Sequence, residues 1–363
     1  MSAVLRVPTA GRRFAVLVEG ARGPMDAKTA TALARYRPEC LAALVDPARA
    51  GATSRELLGA GGDAPVVAGL DGAQAAGANA VLVGVAPAGG RVPEAWRPLL
   101  LEALRRGWDA WSGMHELLAD DPDLAAAART GGGALVDLRR VPEGLPVAAA
   151  RAAGVRARVV LTVGSDCNVG KMTAAWEIAA ALARRGERAA FAATGQTGIL
   201  IAGWGLAVDR CAADFVAGAA ETLVLEAARE ADWVIVEGQG SLVHPGFSGV
   251  TLGLLHGSVP ADLVLCHHAG RATLRHTDGL PVPPLARLAA LYEEAAGWLR
   301  PARVAAVALN THGLDAAAAR RALEEAAAET GRPAADVFAG GADALADALQ
   351  AARAAGAPGG DGR

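Results

Sequence analysis

Val159-Val160-Leu161-Thr162-Val163-Gly164-Ser165-Asp166-Cys167-Asn168-Val169-Gly170-Lys171-Met172-Thr173 runs from a strand-forming stretch, apolar but for Thr162, into a glycine-bounded polar loop and then into helix-forming sequence. A phosphate-binding loop needs this succession. Backbone N–H groups converge in the loop, and the helix N-terminus behind it adds positive potential. On that reading Gly164, Ser165, Asp166, Asn168, Val169, Gly170, Lys171, Met172 and Thr173 form the cradle, with the Lys171 ammonium on terminal phosphate oxygens. The spacing departs from G-x-x-x-x-G-K-[ST]: five residues separate the glycines, and Met172 stands where a hydroxyl would bind magnesium. Thr173 lies about 100° further round a helix and is no simple replacement.

The alphabet around this loop sharpens it. The 363 residues include 33 arginines but only two lysines, Lys28 and Lys171, and three asparagines, Asn79, Asn168 and Asn310. A GC-rich coding bias produces such a skew, exchanging Lys for Arg wherever the chemistry tolerates it. A lysine retained against that bias marks a place where a compact ammonium is needed and a planar guanidinium will not serve. Chance survival explains Lys28 as well as any anion site would. It explains Lys171 less well, because Asn168 and Lys171 survive together in one loop.

Outward from the loop, a strand over 188–192 leads to Thr194-Gly195-Gln196-Thr197-Gly198, expected to be a polar loop. Asp232-Trp233-Val234-Ile235-Val236-Glu237-Gly238-Gln239-Gly240 is a buried strand ending in an acid and then glycines. Glu237 is placed to hold magnesium directly or through water, with Asp166 as a second ligand. Gln196 and Gln239, two of the four glutamines, are candidate substrate contacts.

Before residue 142 the sequence alternates strands and helices. Strands are expected at 14–18, 41–45, 65–67, 80–85 and 134–138, the fourth running into a Gly/Pro loop at 86–90; helical stretches are expected at 27–36, 96–106 and 114–118. This alternation implies a parallel sheet and a Rossmann-like domain. The loop after the first strand, Glu19-Gly20-Ala21-Arg22-Gly23-Pro24, lacks G-x-G-x-x-G, so NAD binding has no support. Asp46 could reach a ribose hydroxyl, but a strand-ending Asp is more often a turn or cap residue. The expected organisation is a Rossmann-like domain over 1–150, a phosphate-loop domain over 151–350, and a flexible tail over 351–363.

The remaining features exclude classes. Thirty-five basic against 38 acidic residues, net charge −3, argue against a nucleic-acid partner. No run is apolar enough to span a membrane, and the first residues lack a signal-peptide pattern, so a cytoplasmic location is expected. Four scattered cysteines suggest neither disulfides nor a zinc site. Cys167 has no evident paired base and is a poor nucleophile candidate. Six of seven histidines fall between 244 and 312. Among them His244, just after the acid-ending strand, and His256 are the acid–base candidates. Arg271, after Cys266-His267-His268-Ala269-Gly270, is a candidate carboxylate grip, and Asp214 and Glu221 are weighed as substrate contacts against a polar helix face.

The loop is similar to the long phosphate loop of dethiobiotin synthetase, G-T-D-T-x-V-G-K-T, and Glu237-Gly238-Gln239-Gly240 resembles that family's E-G-A-G segment, whose Glu binds magnesium. The strand ending at Asn310 resembles its strand ending in an adenine-contacting Asn. A closer resemblance covers nearly the whole chain. The phrases SGMHELLADDP, ATGQTGILI, DFVAGAAE and VEGQGSLVHPGFSGVTLGLLHGSVPADLVLCH look like a bacterial and archaeal family that joins a Rossmann-like domain to a phosphate-loop domain. One branch acts as a D-glutamate N-acetyltransferase. The resemblance implies amino-acid N-acylation, with acetyl-CoA as donor and Lys171, His244 and His256 as catalytic candidates. The alternatives are an ATP- and magnesium-dependent ligase or kinase of the dethiobiotin-synthetase type, and a non-catalytic nucleotide-binding switch. The expected partner is a small amino acid, and a homo-oligomer is plausible for such an apolar chain.

Overall fold

The computed structural model describes residues 4–24, 26–85 and 90–356. Residues 86–89 of the expected Gly/Pro loop and 357–363 of the expected tail lie outside them. The chain forms two compact units, Leu5–Val141 with Gly195–Arg210, and Pro142–Thr194 with Cys211–Arg363. Gly195–Arg210 thus belongs with the N-terminal half, although it follows the phosphate loop in sequence.

The first unit holds a six-stranded parallel sheet in the order Val66–Val67, Leu41–Val45, Phe14–Leu17, Ala80–Val83, Asp109–Ser112, Leu135–Asp137. Counted along the chain this is 3-2-1-4-5-6, the doubly wound Rossmann order. Its central strands are uninterrupted apolar runs, buried throughout, because helices cover both faces of such a sheet. Two expectations need correction. The expected helix over 114–118 is absent: residues 114–117 are irregular and a short 3₁₀ turn, Leu118–Asp120, begins only at Leu118, fastened by Asp137, whose carboxylate accepts the N–H groups of Leu118 at 2.7 Å and Ala119 at 3.2 Å. The segment 195–198 is not a loop but opens a helix, Gln196–Ala202.

The second unit also holds six parallel strands, in the order Ala334–Ala335, Arg303–Asn310, Asp262–His268, Arg158–Gly164, Trp233–Val236, Ala189–Ala192. The first strand in the chain, Arg158–Gly164, lies in the middle, so successive connections leave it in opposite directions. The crevice beyond its carboxyl end is where ligands bind in open α/β sheets. The helix Lys171–Arg184 follows directly. Helices Ala213–Ala227 and Ser248–Ser258 pack backbone to backbone: a Cβ on Gly257 would lie 2.1 Å from the Ala217 carbonyl oxygen. The helix Ala342–Ala354 extends four residues into the stretch expected to be tail.

Glu221 is neither on a polar helix face nor open to a ligand. It is fully buried and accepts hydrogen bonds from Ala149 N, Arg151 N and the Arg151 guanidinium, clamping the segment that leads into the sheet. Glu221→Ala strands two backbone N–H groups, and its loss is expected to cost about 2 kcal/mol in chemical denaturation. The Arg151 guanidinium is half exposed and adds little to that figure.

Candidate functional site

The loop between Gly164 and Lys171 is built by close approach. The N-cap Gly170 has φ 107°, a left-handed conformation that favours glycine, and no side chain caps the helix it opens. The first-turn N–H groups at 171–173 therefore keep their donors for an incoming anion. A Cβ on Gly164 would stand 2.9 Å from Lys171 Nζ and 3.0 Å from Val169 Cγ2, so the cradle has no room for a side chain there. Asn168 also takes a left-handed conformation, φ 57°, which Asn tolerates better than most residues.

Lys171 is buried, and its Nζ donates one hydrogen bond, to the Asp166 carbonyl at 2.7 Å. Burial lowers its pKa. Among the described residues no carboxylate forms an ion pair with it, and the Asp166 side chain is engaged elsewhere. Asp166 Oδ1 accepts Cys167 N at 2.7 Å, while Oδ2 accepts Arg271 Nη1 at 3.0 Å and Arg275 N at 2.9 Å. Arg271 Nη1 also donates to the Cys167 carbonyl at 2.8 Å. A desolvated ammonium above a ring of N–H donors fits phosphate oxygens.

The crevice is crossed a second time by Ser165 Oγ, 2.8 Å from His267 Nδ1. Burial, reinforced by the charges of His268 and Arg271, pushes His267 down to about 4 from an ordinary 6.5. Folding therefore excludes a proton that the unfolded chain accepts, so stability falls as pH drops from 6.5 to 4 and levels off below. His267→Gln is expected to flatten that decline in melting temperatures taken across the range.

Metal ligation has less to work with. Asp166, Cys167 and His244 bring one potential donor each within 4.8 Å of one another. However, the Asp166 carboxylate is paired with Arg271, and burial followed by the Asp166 charge raises the Cys167 thiol. His244 Nδ1 accepts Gly246 N at 3.1 Å, its Nε2 lies 2.8 Å from the Arg275 carbonyl, and its ring stacks on Phe247 at 4.4 Å. A cation here would have to displace Arg271 from Asp166 and one backbone partner from a His244 ring nitrogen. Magnesium at Asp166 would likewise displace Arg271, and Met172 offers no hydroxyl. The donors at Asp166, Cys167 and His244 are committed elsewhere and fit a metal poorly, while the loop N–H groups and Lys171 fit phosphate.

The other candidates divide. Glu237 directly follows the strand Trp233–Val236 and accepts Thr194 N at 2.9 Å, while its carbonyl takes the Thr194 hydroxyl at 2.8 Å. Gln239 Nε2 donates to the Thr194 carbonyl at 2.7 Å, so Glu237, Gln239 and Thr194 form one group. Asn310 closes the strand Arg303–Asn310 and accepts His312 N. Gln196 instead belongs to the other unit, where its Oε1 accepts Arg139 Nη2 at 2.7 Å. His256 lies 3.1 Å from the Ala295 carbonyl, joining two helices. Asp214 is exposed in the first turn of its helix.

Sequence reasoning missed Tyr292. Fully buried, it donates to the Gly164 carbonyl at 2.7 Å and accepts Leu242 N at 3.1 Å, tying the loop to the segment after Glu237. Arg275 acts through its backbone N–H, and no side-chain pattern announces that. The pairing of His267 with Ser165 spans 102 positions, out of reach of local spacing.

A parallel sheet with a glycine-bounded loop, an uncapped helix start and a buried Lys171 defines a P-loop-fold unit, here preceded by a Rossmann-like one. The chain belongs to the DUF1611 family. Residues 146–346 match the family described as "Domain of unknown function (DUF1611_C) P-loop domain", and residues 47–141 match its "Rossmann-like domain". It is similar to a protein from Tritonibacter scottomollicae named D-glutamate N-acetyltransferase, 40% identical over 78% of this chain and 84% of that one. A protein of the same name from a Pseudoalteromonas species is 35% identical over 74% and 80%. The crystal structure of a DUF1611 family protein from Anabaena variabilis matches 94% of this chain and all of that one, with a TM-score of 0.89 and 39% identity. Among the described residues no helix is long and apolar enough to cross a membrane.

Proposed function

We propose that this protein transfers an acyl group to the amino group of an acidic amino acid, with acetyl-CoA as donor and D-glutamate as the model acceptor. The similarity at 40% identity to a protein bearing that activity in its name carries the reading. The loop supports it, since a cradle suited to phosphate but poor in metal ligands suits the phosphates of coenzyme A. In this reading the donor supplies the thioester. The loop N–H groups and Lys171 hold its phosphates, and Arg271 takes an acceptor carboxylate. The amine nitrogen bonds to the thioester carbonyl carbon, the C–S bond breaks, and the sulfur leaves as thiolate. His244 accepts the amine proton once Nδ1 has released the Gly246 N–H.

Incubation with acetyl-CoA and a panel of D- and L-amino acids tests this. Free thiol should appear together with an N-acetylated acidic amino acid detected by mass; thiol release without such a product would sink the proposal. Glu237, directly after the strand Trp233–Val236, favours a second reading as an ATP-dependent ligase or kinase. Transfer of labelled phosphate from ATP to a carboxylate, needing magnesium, would select that reading instead.

A further inference from the structure

Beyond the carboxyl ends of the strands Asp262–His268 and Arg303–Asn310 lies a cavity of about 240 Å³. Its volume is below the ~300 Å³ at which drug-sized pockets begin, which suits a ligand the size of one amino acid. The lining carries both signs of charge without pairing them. Arg271 and His267 line it and reach the phosphate loop through Asp166 and Ser165. Glu325 and Glu329, one turn apart on the helix Ala316–Thr330, line it as well, and among the described residues neither forms an ion pair with Arg271. Leu285 and Leu309 add apolar wall.

Two features show that this polarity is unspent. Arg271 uses only Nη1 toward the loop; among the described residues its Nε and Nη2 donate to nothing. That leaves one edge of the guanidinium, with two parallel N–H donors, for a carboxylate. Glu325 has no hydrogen-bond or ion-pair partner among the described residues, and Glu329 spends one oxygen on Ala286 N at 3.2 Å. Like charges four apart on a helix repel, and a bound cation would relieve that repulsion.

We infer that this cavity is the acceptor subsite, taking a free amino acid with one carboxylate on the open edge of Arg271 and its ammonium held by Glu325 and Glu329 until the amine is delivered to His244. The inference rests on the acyl-transfer reading above for the identity of the ligand, and it adds Glu325 and Glu329 as residues that distinguish an amino acid from a plain dicarboxylic acid. Arg271 then grips the acceptor with one edge and the phosphate loop with the other, so donor and acceptor sites share one side chain.

Calorimetric titration of the wild type, Glu325→Gln and Ala322→Phe with D-glutamate and with glutarate, which lacks the ammonium, tests the assignment. Wild type should prefer D-glutamate. Glu325→Gln, an isosteric exchange at an exposed position, should weaken D-glutamate at least fivefold and leave glutarate unchanged. Ala322→Phe, which fills the cavity, should remove both, and its melting temperature shows that it is folded. Unchanged D-glutamate affinity in both variants overturns the subsite. Steady-state N-acetylation keeps the two claims apart. Turnover with an unaltered KM for D-glutamate in both variants sinks the subsite and leaves acyl transfer standing. Cavity-dependent binding without N-acetyl product sinks acyl transfer and leaves the subsite standing. Neither binding nor turnover with D-glutamate overturns both.

Discussion

Lys171→Met is expected to lower kcat/KM for the acyl donor by about 100-fold or more while leaving the free protein at least as stable as wild type. The two halves have one cause. The ammonium is buried with a single carbonyl partner, and its lowered pKa records the desolvation that the folded protein sustains to keep it there. Methionine fills the same volume without that charge. The cost appears only when phosphate arrives, because each charge-assisted bond lost is worth about 1.5–3 kcal/mol, or roughly tenfold to a hundredfold in affinity. Melting temperature and donor KM on the same preparation check both halves. A destabilised variant with normal KM would make Lys171 a structural residue.

Gly238→Ala is expected to be the most damaging single methyl group in the site, at a cost of about 3 kcal/mol or more, and to abolish donor binding. A Cβ at 238 would lie 1.6 Å from the Thr162 carbonyl oxygen and 3.2 Å from Lys171 Cδ. Backbone cannot rotate away as a side chain does, so two central strands would have to part. Those strands also share a hydrogen bond at this point, Gly238 N to Thr162 Oγ1 at 2.9 Å, and it would break with them. Gly249→Ala is the control, since nothing lies within 4 Å of a Cβ there. Denaturant titration of the two variants should separate them by most of the predicted figure.

Much of this site was legible because its chemistry is local. The strand-forming run 159–163, the two glycines and Lys171 fix strand, loop and helix within fifteen residues, and the fold follows from their order. What escaped was long-range or disguised. The strand Asp109–Ser112 reads as polar because Asp109 opens it and Ser112 closes it, yet all four residues are buried. Asp109 is tolerated there because it accepts Ala134 N at 2.9 Å and pairs with Arg12. Glu221 reads in sequence as either a substrate contact or a polar helix face, because nothing near it predicts that Ala149 and Arg151 fold back onto it. Gln196 follows the second strand of the phosphate-loop sheet, so sequence order assigns it to that unit. Only the fold shows that Gly195–Arg210 joins the other one. Tyr292, 128 positions from the carbonyl it holds, carries no local signal at all.

The central claim is that the loop grips the phosphates of an acyl donor without a metal. Thermal unfolding of wild type and Lys171→Ala with acetyl-CoA in EDTA, set beside ATP with magnesium and ATP with EDTA, tests it most directly. A ligand at a hundred times its dissociation constant adds about 2.7 kcal/mol, a readily measured shift. The account predicts that acetyl-CoA stabilises the wild type in EDTA and that Lys171→Ala loses the shift. Stabilisation by ATP alone, dependent on magnesium, would contradict it.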